Sequence, residues 1–129
     1  MAYNILIVDD SQTMRKVIHK ALQLSGLELG RCLEAGNGQE ALAVLNTQWI
    51  DLILTDLNMP VMNGLDLVKN LKDNKTLQSI PVVLITTEGS ETRLQELFQL
   101  GVKDYIQKPF HPETLRDVLT RLLEAPVAG

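Results

Sequence analysis

Short apolar runs alternate along this chain with segments whose apolar residues repeat at helical spacing. The runs cover residues 5–8, 31–33, 52–55, 82–86 and 103–106. Between the first two, Met14, Val17, Ile18, Ala21 and Leu22 form one helical stripe, with Asp10 or Ser11 as the expected N-cap. Similar segments follow residues 37–38 and 63–64, precede residue 101 and follow residue 112. Five strands alternating with five helices predict an α/β domain whose mostly parallel sheet is covered on both faces.

The length and composition limit the classes of protein that this chain can belong to. Its 129 residues suit a single domain, and 45% hydrophobic with 22% charged residues is typical of a globular protein. No apolar run approaches the roughly 20 residues of a membrane helix, and the opening "MAYNILIVDD" does not resemble a signal peptide. We therefore expect a cytoplasmic protein with no membrane partner.

The net charge and the cysteine content limit the expected partners and the expected cellular compartment. The formal net charge is -4 and the 12 basic residues are scattered, which argues against nucleic acid as a partner. The single cysteine, Cys32, excludes an internal disulfide and fits a reducing compartment. We expect Cys32 to be a small buried hydrophobic residue, and Trp49 to pack in the core or at its boundary, at the end of the sheet opposite Asp56.

Charged and hydroxyl side chains stand where the predicted strands end. The first run ends in Asp9 and Asp10, the third in Asp56, the fourth in Thr86, and Lys108 follows the fifth. Ligands of open parallel sheets bind at the carboxyl ends of the strands. If these strands are central, three acids, a hydroxyl and an ammonium meet at one edge of the sheet.

Three carboxylates at one edge need a cation. At about 4 Å each pair repels by about 1 kcal/mol in water and by roughly 4 kcal/mol at an effective dielectric near 20. Oxygen ligands without Cys or His suit a hard ion, and we expect Mg²⁺, with Mn²⁺ as a substitute. A carboxylate nucleophile, a divalent metal, a lysine and a hydroxyl are the groups that phosphoryl transfer requires. We therefore expect Asp56 to become an aspartyl phosphate.

Each of these residues also has a purely structural interpretation. Asp9 and Asp10 could end a strand and cap a helix, and Asp56 could begin the turn at Pro60. Thr86 fits a strand by propensity alone, and Lys108 could be an ordinary surface lysine. The coincidence of all these residues at predicted strand ends favours the functional interpretation over the structural one.

Four motifs, in this order and spacing, resemble the response-regulator receiver domain. They are "VDDS", "LTDLNMPVMNG", "ITT" and "DYIQKPF". The resemblance runs from residue 5 to about residue 123, and it is greatest to stand-alone regulators of the chemotaxis type. It implies a single-domain, doubly wound (βα)5 fold, flavodoxin-like, with strand order 2-1-3-4-5. We expect residues 1–124 to form the receiver domain and residues 125–129 to be a short tail.

The resemblance also implies a role for each acidic residue of the site. Asp56 would accept a phosphoryl group from a histidine of a sensor kinase. Asp10, Asp56 and the main-chain carbonyl of Asn58 would hold Mg²⁺, while Asp9 would act largely through water. The protein would then be a signalling phosphoacceptor that assists its own phosphorylation and autodephosphorylation, and not an enzyme.

A second group of residues would couple phosphorylation of Asp56 to a change at the protein surface. By resemblance, Thr86 and Lys108 bind the phosphoryl oxygens after transfer, and Thr86 moves so that Tyr105 can turn inward. This movement changes the face made by the fourth helix, fifth strand and fifth helix. From the residues alone, Tyr105 could equally pack at a sheet edge.

Other positions are expected to set the lifetime of the phosphate. Asn58 and Glu88, two residues beyond Asp56 and Thr86, resemble a pair found in chemotaxis regulators with short-lived phosphorylation. Thr87 departs from the family, in which many members carry Ala. The bond before Pro109 is expected to be cis, as in the family.

The resemblance to chemotaxis regulators suggests a chemotaxis histidine kinase, the flagellar motor switch and a phosphatase as partners. Two alternatives remain. One is an interaction module that has the fold but does not use phosphorylation. The other is an aspartyl-phosphate phosphatase of the haloacid-dehalogenase type, which would need a second Asp where this chain has Asn58. A DNA-binding regulator is not expected, because no DNA-reading segment follows in the sequence.

Overall fold

A computed structural model describes residues 2–87 and 89–124. Strands and helices alternate along the chain, as the apolar runs predict. They are β1 (Tyr3–Val8), α1 (Gln12–Gln23), β2 (Leu29–Ala35), α2 (Gly38–Leu45), β3 (Leu52–Thr55), α3 (Gly64–Lys72), β4 (Val82–Thr86), α4 (Glu91–Gln99), β5 (Asp104–Gln107) and α5 (Pro112–Leu123). The predicted tail, 125–129, lies outside the described residues, so the boundary at residue 124 stays a prediction.

The five strands form one parallel sheet in the order β2-β1-β3-β4-β5, which confirms the predicted fold class. Strand order reverses at β1, because β2 pairs on one side of it and β3 on the other. The register places Val8 opposite Thr55, so β1 and β3 end at the same level. Residues that directly follow these two strands are therefore neighbours at the carboxyl edge of the sheet.

Both faces of the sheet are covered by helices. Alternate residues of β1 point to opposite faces, with Ile5 and Ile7 in one apolar cluster and Leu6 and Val8 in the other. The first cluster also takes residues from α1 and α5, and the second takes residues from α2, α3 and α4. This two-sided burial explains why the central strands read as continuous apolar runs.

Local sequence fixes where most helices begin. Ser11, Asn37, Asn63 and Ser90 each accept a hydrogen bond from a main-chain N–H in the first turn of the helix that follows. Of the two expected N-caps for α1, the structure uses Ser11. In the described ranges, no helix combines the length and the apolar character that crossing a membrane requires.

Two expectations about burial were wrong. Trp49 is 70% exposed, and its indole Nε1 donates to Asp51 Oδ1 at 2.9 Å. It belongs to a loop before β3 and lies outside both apolar clusters. Cys32 is only half-buried, because β2 is the outermost strand at one side of the sheet. Burial and the nearby Glu34 carboxylate raise the pKa of the Cys32 thiol above its ordinary value.

Candidate functional site

The acidic pair after β1 lies at the carboxyl edge of the sheet. The Asp9 N–H donates to the carbonyl of Ala35 at 3.0 Å, which continues the ladder between β1 and β2 by one residue. Asp9 is buried, and its Oδ1 accepts the N–H of Ser11 at 2.9 Å. Asp10 is exposed. One acid of the pair is therefore enclosed by protein, and the other faces solvent.

Asp56 lies beside this pair because β3 is the neighbour of β1. Its N–H donates to the carbonyl of Val8 at 2.8 Å, which joins the ends of the two strands. Its carboxylate Oδ1 accepts the N–H of Leu57 at 2.7 Å, and the side chain is 12% exposed. The Asp56 carboxylate is thus held in one orientation while it remains open to solvent.

Lys108 reaches the same point from the end of β5. Its Nζ lies 2.7 Å from Asp9 Oδ2 and 3.1 Å from Asp56 Oδ2. The main-chain N–H of Lys108 donates to the carbonyl of Thr86 at 2.9 Å. The peptide bond between Lys108 and Pro109 is cis, as expected. Burial alone would lower the pKa of the Lys108 ammonium. The hydrogen bonds to Asp9 and Asp56 and the two negative charges outweigh burial, so this pKa is raised.

The charges at this edge do not balance within the protein. One carboxylate oxygen from each of Asp9, Asp10 and Asp56 lies within 4.8 Å of the other two. Three carboxylates contribute -3 and Lys108 contributes +1, so a charge of -2 remains. One divalent cation would neutralise it. The donor atoms are all oxygens, which suits Mg²⁺. The residues present therefore fit the expected metal.

Thr86 and Tyr105 lie on one face of the sheet. Thr86 is the last residue of β4 and is fully buried. Tyr105 on β5 is opposite Leu84, and it packs against the cluster that contains Leu84. Since side chains of residues two apart share a face, Thr86 is on the same face as Leu84 and Tyr105. The expected switch residues are therefore close in the sheet, although they come from different strands.

Of the two residues expected to set the lifetime of the phosphate, the structure describes only one. Asn58 is exposed in the loop after β3, close in sequence to Asp56. Glu88 lies outside the described residues. Thr87, which departs from the family pattern, is exposed, so its additional side-chain atoms face solvent.

Sequence reasoning missed two contacts that shape the site. The Arg15 guanidinium donates to the main-chain carbonyl of Asp9 at 2.6 Å and pairs with Glu34 at 2.9 Å. Gly64 packs so closely that an added Cβ would lie 2.4 Å from the carbonyl oxygen of Asp56. No local motif predicts the Arg15 contact. The glycine was visible in the sequence, but only as part of a helix start.

The chain is similar to known chemotaxis proteins over most of its length. The family model of the response regulator receiver domain matches residues 5–120. Chemotaxis protein CheY1 of Helicobacter pylori is 42% identical over 120 residues, which cover 92% of this chain and 95% of the relative. Chemotaxis protein CheY-3 of Vibrio cholerae is 40% identical, with 93% of this chain and 91% of the relative covered.

Solved structures agree with the sequence comparison. Chemotaxis protein CheY4 of Vibrio cholerae has a TM-score of 0.85 at 36% identity, covering 95% of this chain and 100% of that one. The receiver domain of a Pseudomonas aeruginosa sensor histidine kinase, solved with a magnesium ion coordinated in its active-site cleft, has a TM-score of 0.84 at 25% identity. It covers 97% of this chain and 100% of that one. This chain therefore belongs to the family of response regulator receiver domains and is of the CheY chemotaxis type.

Proposed function

We propose that this chain is a phosphoacceptor switch of two-component signalling, in which Asp56 takes a phosphoryl group from a histidine kinase. The observation that carries the proposal is the position of Asp56. Its partly exposed carboxylate lies beside two further carboxylates and within 3.1 Å of the Lys108 ammonium. CheY-like receiver domains are signalling proteins that work with histidine kinases and downstream targets.

Mg²⁺ is the proposed cofactor, with Mn²⁺ as an alternative ion. Asp10, Asp56 and the main-chain carbonyl of Asn58 would hold it, with Asp9 acting through water. The bound ion would neutralise charge on the incoming phosphoryl oxygens, so that one anion can attack another. Support comes from the unbalanced charge of the acidic group and from the magnesium bound in the Pseudomonas aeruginosa relative.

In the proposed transfer, an Asp56 carboxylate oxygen forms a bond to phosphorus as the bond from phosphorus to the donor imidazole nitrogen breaks. The electron pair of the broken bond stays on that nitrogen. Lys108 already points at Asp56, and its raised pKa keeps it charged at neutral pH. It would bind a phosphoryl oxygen after transfer, together with the hydroxyl of Thr86.

The proposed output is a change at the face formed by α4, β5 and α5. Thr86 would move toward the phosphoryl group, and Tyr105 would turn into the space it leaves. Glu91, Gln95 and Lys103 are exposed on this face and are candidate contacts with a target. The relatives are named chemotaxis proteins, which supports a role in chemotaxis. From the family resemblance, we propose a chemotaxis kinase as the donor and the flagellar motor switch as the target.

The lifetime of the phosphate is proposed to depend on Asn58 and Glu88, whose side chains would influence the attacking water. A separate phosphatase is a further proposed partner. Both positions resemble the pair found in chemotaxis regulators with short-lived phosphorylation.

Intact mass spectrometry with a small phosphodonor tests this proposal without any partner protein. The chain is incubated with acetyl phosphate and Mg²⁺, beside an EDTA control and the Asp56→Asn variant. We expect one added phosphoryl group in the wild type and none in either control. No reaction in the wild type would contradict the proposal and favour an interaction module. Consumption of acetyl phosphate by the Asp56→Asn variant would also contradict it, and would favour a phosphatase that does not depend on Asp56.

A further inference from the structure

Trp49 is the largest apolar side chain that the described part of the fold leaves in solvent. It is 70% exposed and is the single tryptophan of the chain. It precedes β3, and therefore lies at the end of the sheet opposite Asp56. Neither apolar cluster includes it, so its exposed position does not stabilise the core. Tryptophan is on average well buried, and it is enriched among the residues that dominate binding at protein interfaces.

Hydrogen bonds hold the Trp49 indole in one orientation. Its Nε1 donates to Asp51 Oδ1 at 2.9 Å, and Asp51 Oδ2 accepts the main-chain N–H of Asn4 at 2.8 Å. The side-chain Nδ2 of Asn4 donates in turn to the carbonyl of Trp49 at 3.2 Å. Both carboxylate oxygens of Asp51 are thereby used within the fold. A side chain that is ordered before binding loses little conformational entropy on binding, which favours affinity.

The same asparagine places a cation beside Trp49. The pairing of β1 with β2 shifts register at Asn4, where Asn4 Oδ1 accepts the main-chain N–H of Arg31 at 2.8 Å. Such bulges redirect side chains. The Arg31 guanidinium is exposed and donates to the side-chain oxygen of Gln48, the residue before Trp49, at 2.7 Å. It forms no ion pair with any residue that the structure describes.

We propose that Trp49 and Arg31 form a docking site for a short segment of a partner protein that carries an apolar side chain close to a carboxylate. The indole N–H is already bonded to Asp51, so the partner contacts the ring through apolar atoms. The remaining donors of the guanidinium match a carboxylate. Gln48 is bonded to Arg31 and adjacent to Trp49, so the two contacts lie within roughly 10 Å, or about three residues of extended chain.

Charge and position distinguish this site from the surfaces described above. A single cation in a chain of net charge -4 does not suit a nucleic acid or an anionic membrane, which bind clustered basic residues. Trp49 also lies outside α4, β5 and α5. A partner bound at Trp49 leaves both Asp56 and the proposed output face accessible. The site therefore suits a protein that holds the switch in place, and not one that donates the phosphoryl group or responds to it.

Peptides displayed on phage test this site without a known partner. A library of random short peptides that lack tryptophan is selected on the wild-type chain, after peptides that also bind Trp49→Ala have been removed. We expect the selected peptides to share Asp or Glu within about three residues of Pro, Leu or an aromatic residue. Because Trp49 is the single tryptophan, each such peptide should shift the tryptophan emission of the wild type to shorter wavelength.

Variants then separate the two contacts, with affinity measured by the fluorescence anisotropy of a dye-labelled selected peptide. Trp49→Ala should bind about thirtyfold more weakly. Arg31→Gln should bind about threefold more weakly and lose most of the salt dependence. Leu24→Ala, which replaces another exposed apolar side chain, and Asp56→Asn should bind like the wild type. Circular dichroism shows whether each variant is folded.

Four results would overturn the inference. They are no peptide that depends on Trp49, selected peptides without a carboxylate, unchanged binding by Arg31→Gln, and selected peptides that match a segment of this chain. The last result would indicate that a second copy of the chain occupies the site. Failure of the proposed function is a separate outcome, because peptide binding does not require Asp56.

Discussion

Replacing Lys108 with methionine tests whether this ammonium neutralises the acidic group. One oxygen each of Asp9 and Asp56 lie within 4.8 Å, and two unit charges at that distance repel by about 3.5 kcal/mol at an effective dielectric of about 20 and about 1 kcal/mol in water. Lys108 now lies between these two carboxylates. Asp10 is exposed, so solvent reaches the site and the effective repulsion lies between these two values. We therefore expect Lys108→Met to lower the free energy of unfolding by about 2 kcal/mol without metal.

A divalent cation should reverse part of this loss. Asp9, Asp10, Asp56 and Lys108 together carry a charge of -2, and without the positive charge of Lys108 the three carboxylates carry -3. Mg²⁺ should therefore bind the variant more tightly than the wild type and stabilise it more, because a ligand that binds only the folded state stabilises in proportion to the logarithm of its affinity. The stability difference between the two proteins should shrink when Mg²⁺ is added.

Urea unfolding followed by circular dichroism, in EDTA and in saturating Mg²⁺, measures both effects. Lys16→Met is the matched control, because Lys16 is exposed on α1 and should change stability by less than about 0.5 kcal/mol. If Lys108→Met is as stable as the wild type in EDTA, or responds equally to Mg²⁺, then the ammonium does not compensate these carboxylates and the charge argument is wrong.

Three other perturbations have defined outcomes. Gly64→Ala should cost about 1–3 kcal/mol in urea unfolding and slow phosphorylation, because its Cβ would meet the carbonyl oxygen of Asp56 at 2.4 Å. The raised pKa of Cys32 favours folding below the ordinary thiol pKa, and this contribution is lost as pH rises through the higher folded value. Stability measured against pH should therefore fall more in the wild type than in Cys32→Ala. Arg15→Met removes a positive charge beside Asp9, as Lys108→Met does, and should therefore tighten Mg²⁺ binding in titration calorimetry. Glu34→Gln keeps the main-chain contact of Arg15 and removes a negative charge, so it should weaken Mg²⁺ binding slightly.

The sequence predicted the edge at which the acids meet because a parallel sheet has one carboxyl edge. Asp9, Asp10 and Asp56 each follow an apolar run, and runs of that kind become central strands. Lys108 was predicted in the same way from the fifth run. The strand order itself came from family resemblance, since five apolar runs are compatible with several orders.

Features set by tertiary contacts could not be predicted. The exposure of Cys32 depends on β2 being outermost, and that of Trp49 on the path of the loop before β3. The contact between Arg15 and the Asp9 carbonyl joins a helix to a strand end, with no local signature. The positive φ of Val61 could not be predicted from its residue type, because positive φ is usually found at glycine or asparagine.

Chemical trapping of the phosphorylated residue tests the central claim most directly. Borohydride reduces an aspartyl phosphate to homoserine, and peptide sequencing by tandem mass spectrometry then identifies the aspartate that was modified. After reaction with a phosphodonor and Mg²⁺, we predict homoserine at position 56 and unmodified Asp9 and Asp10. Homoserine at either of those two positions, or at none of the three, would contradict the assignment of Asp56 as the phosphoacceptor.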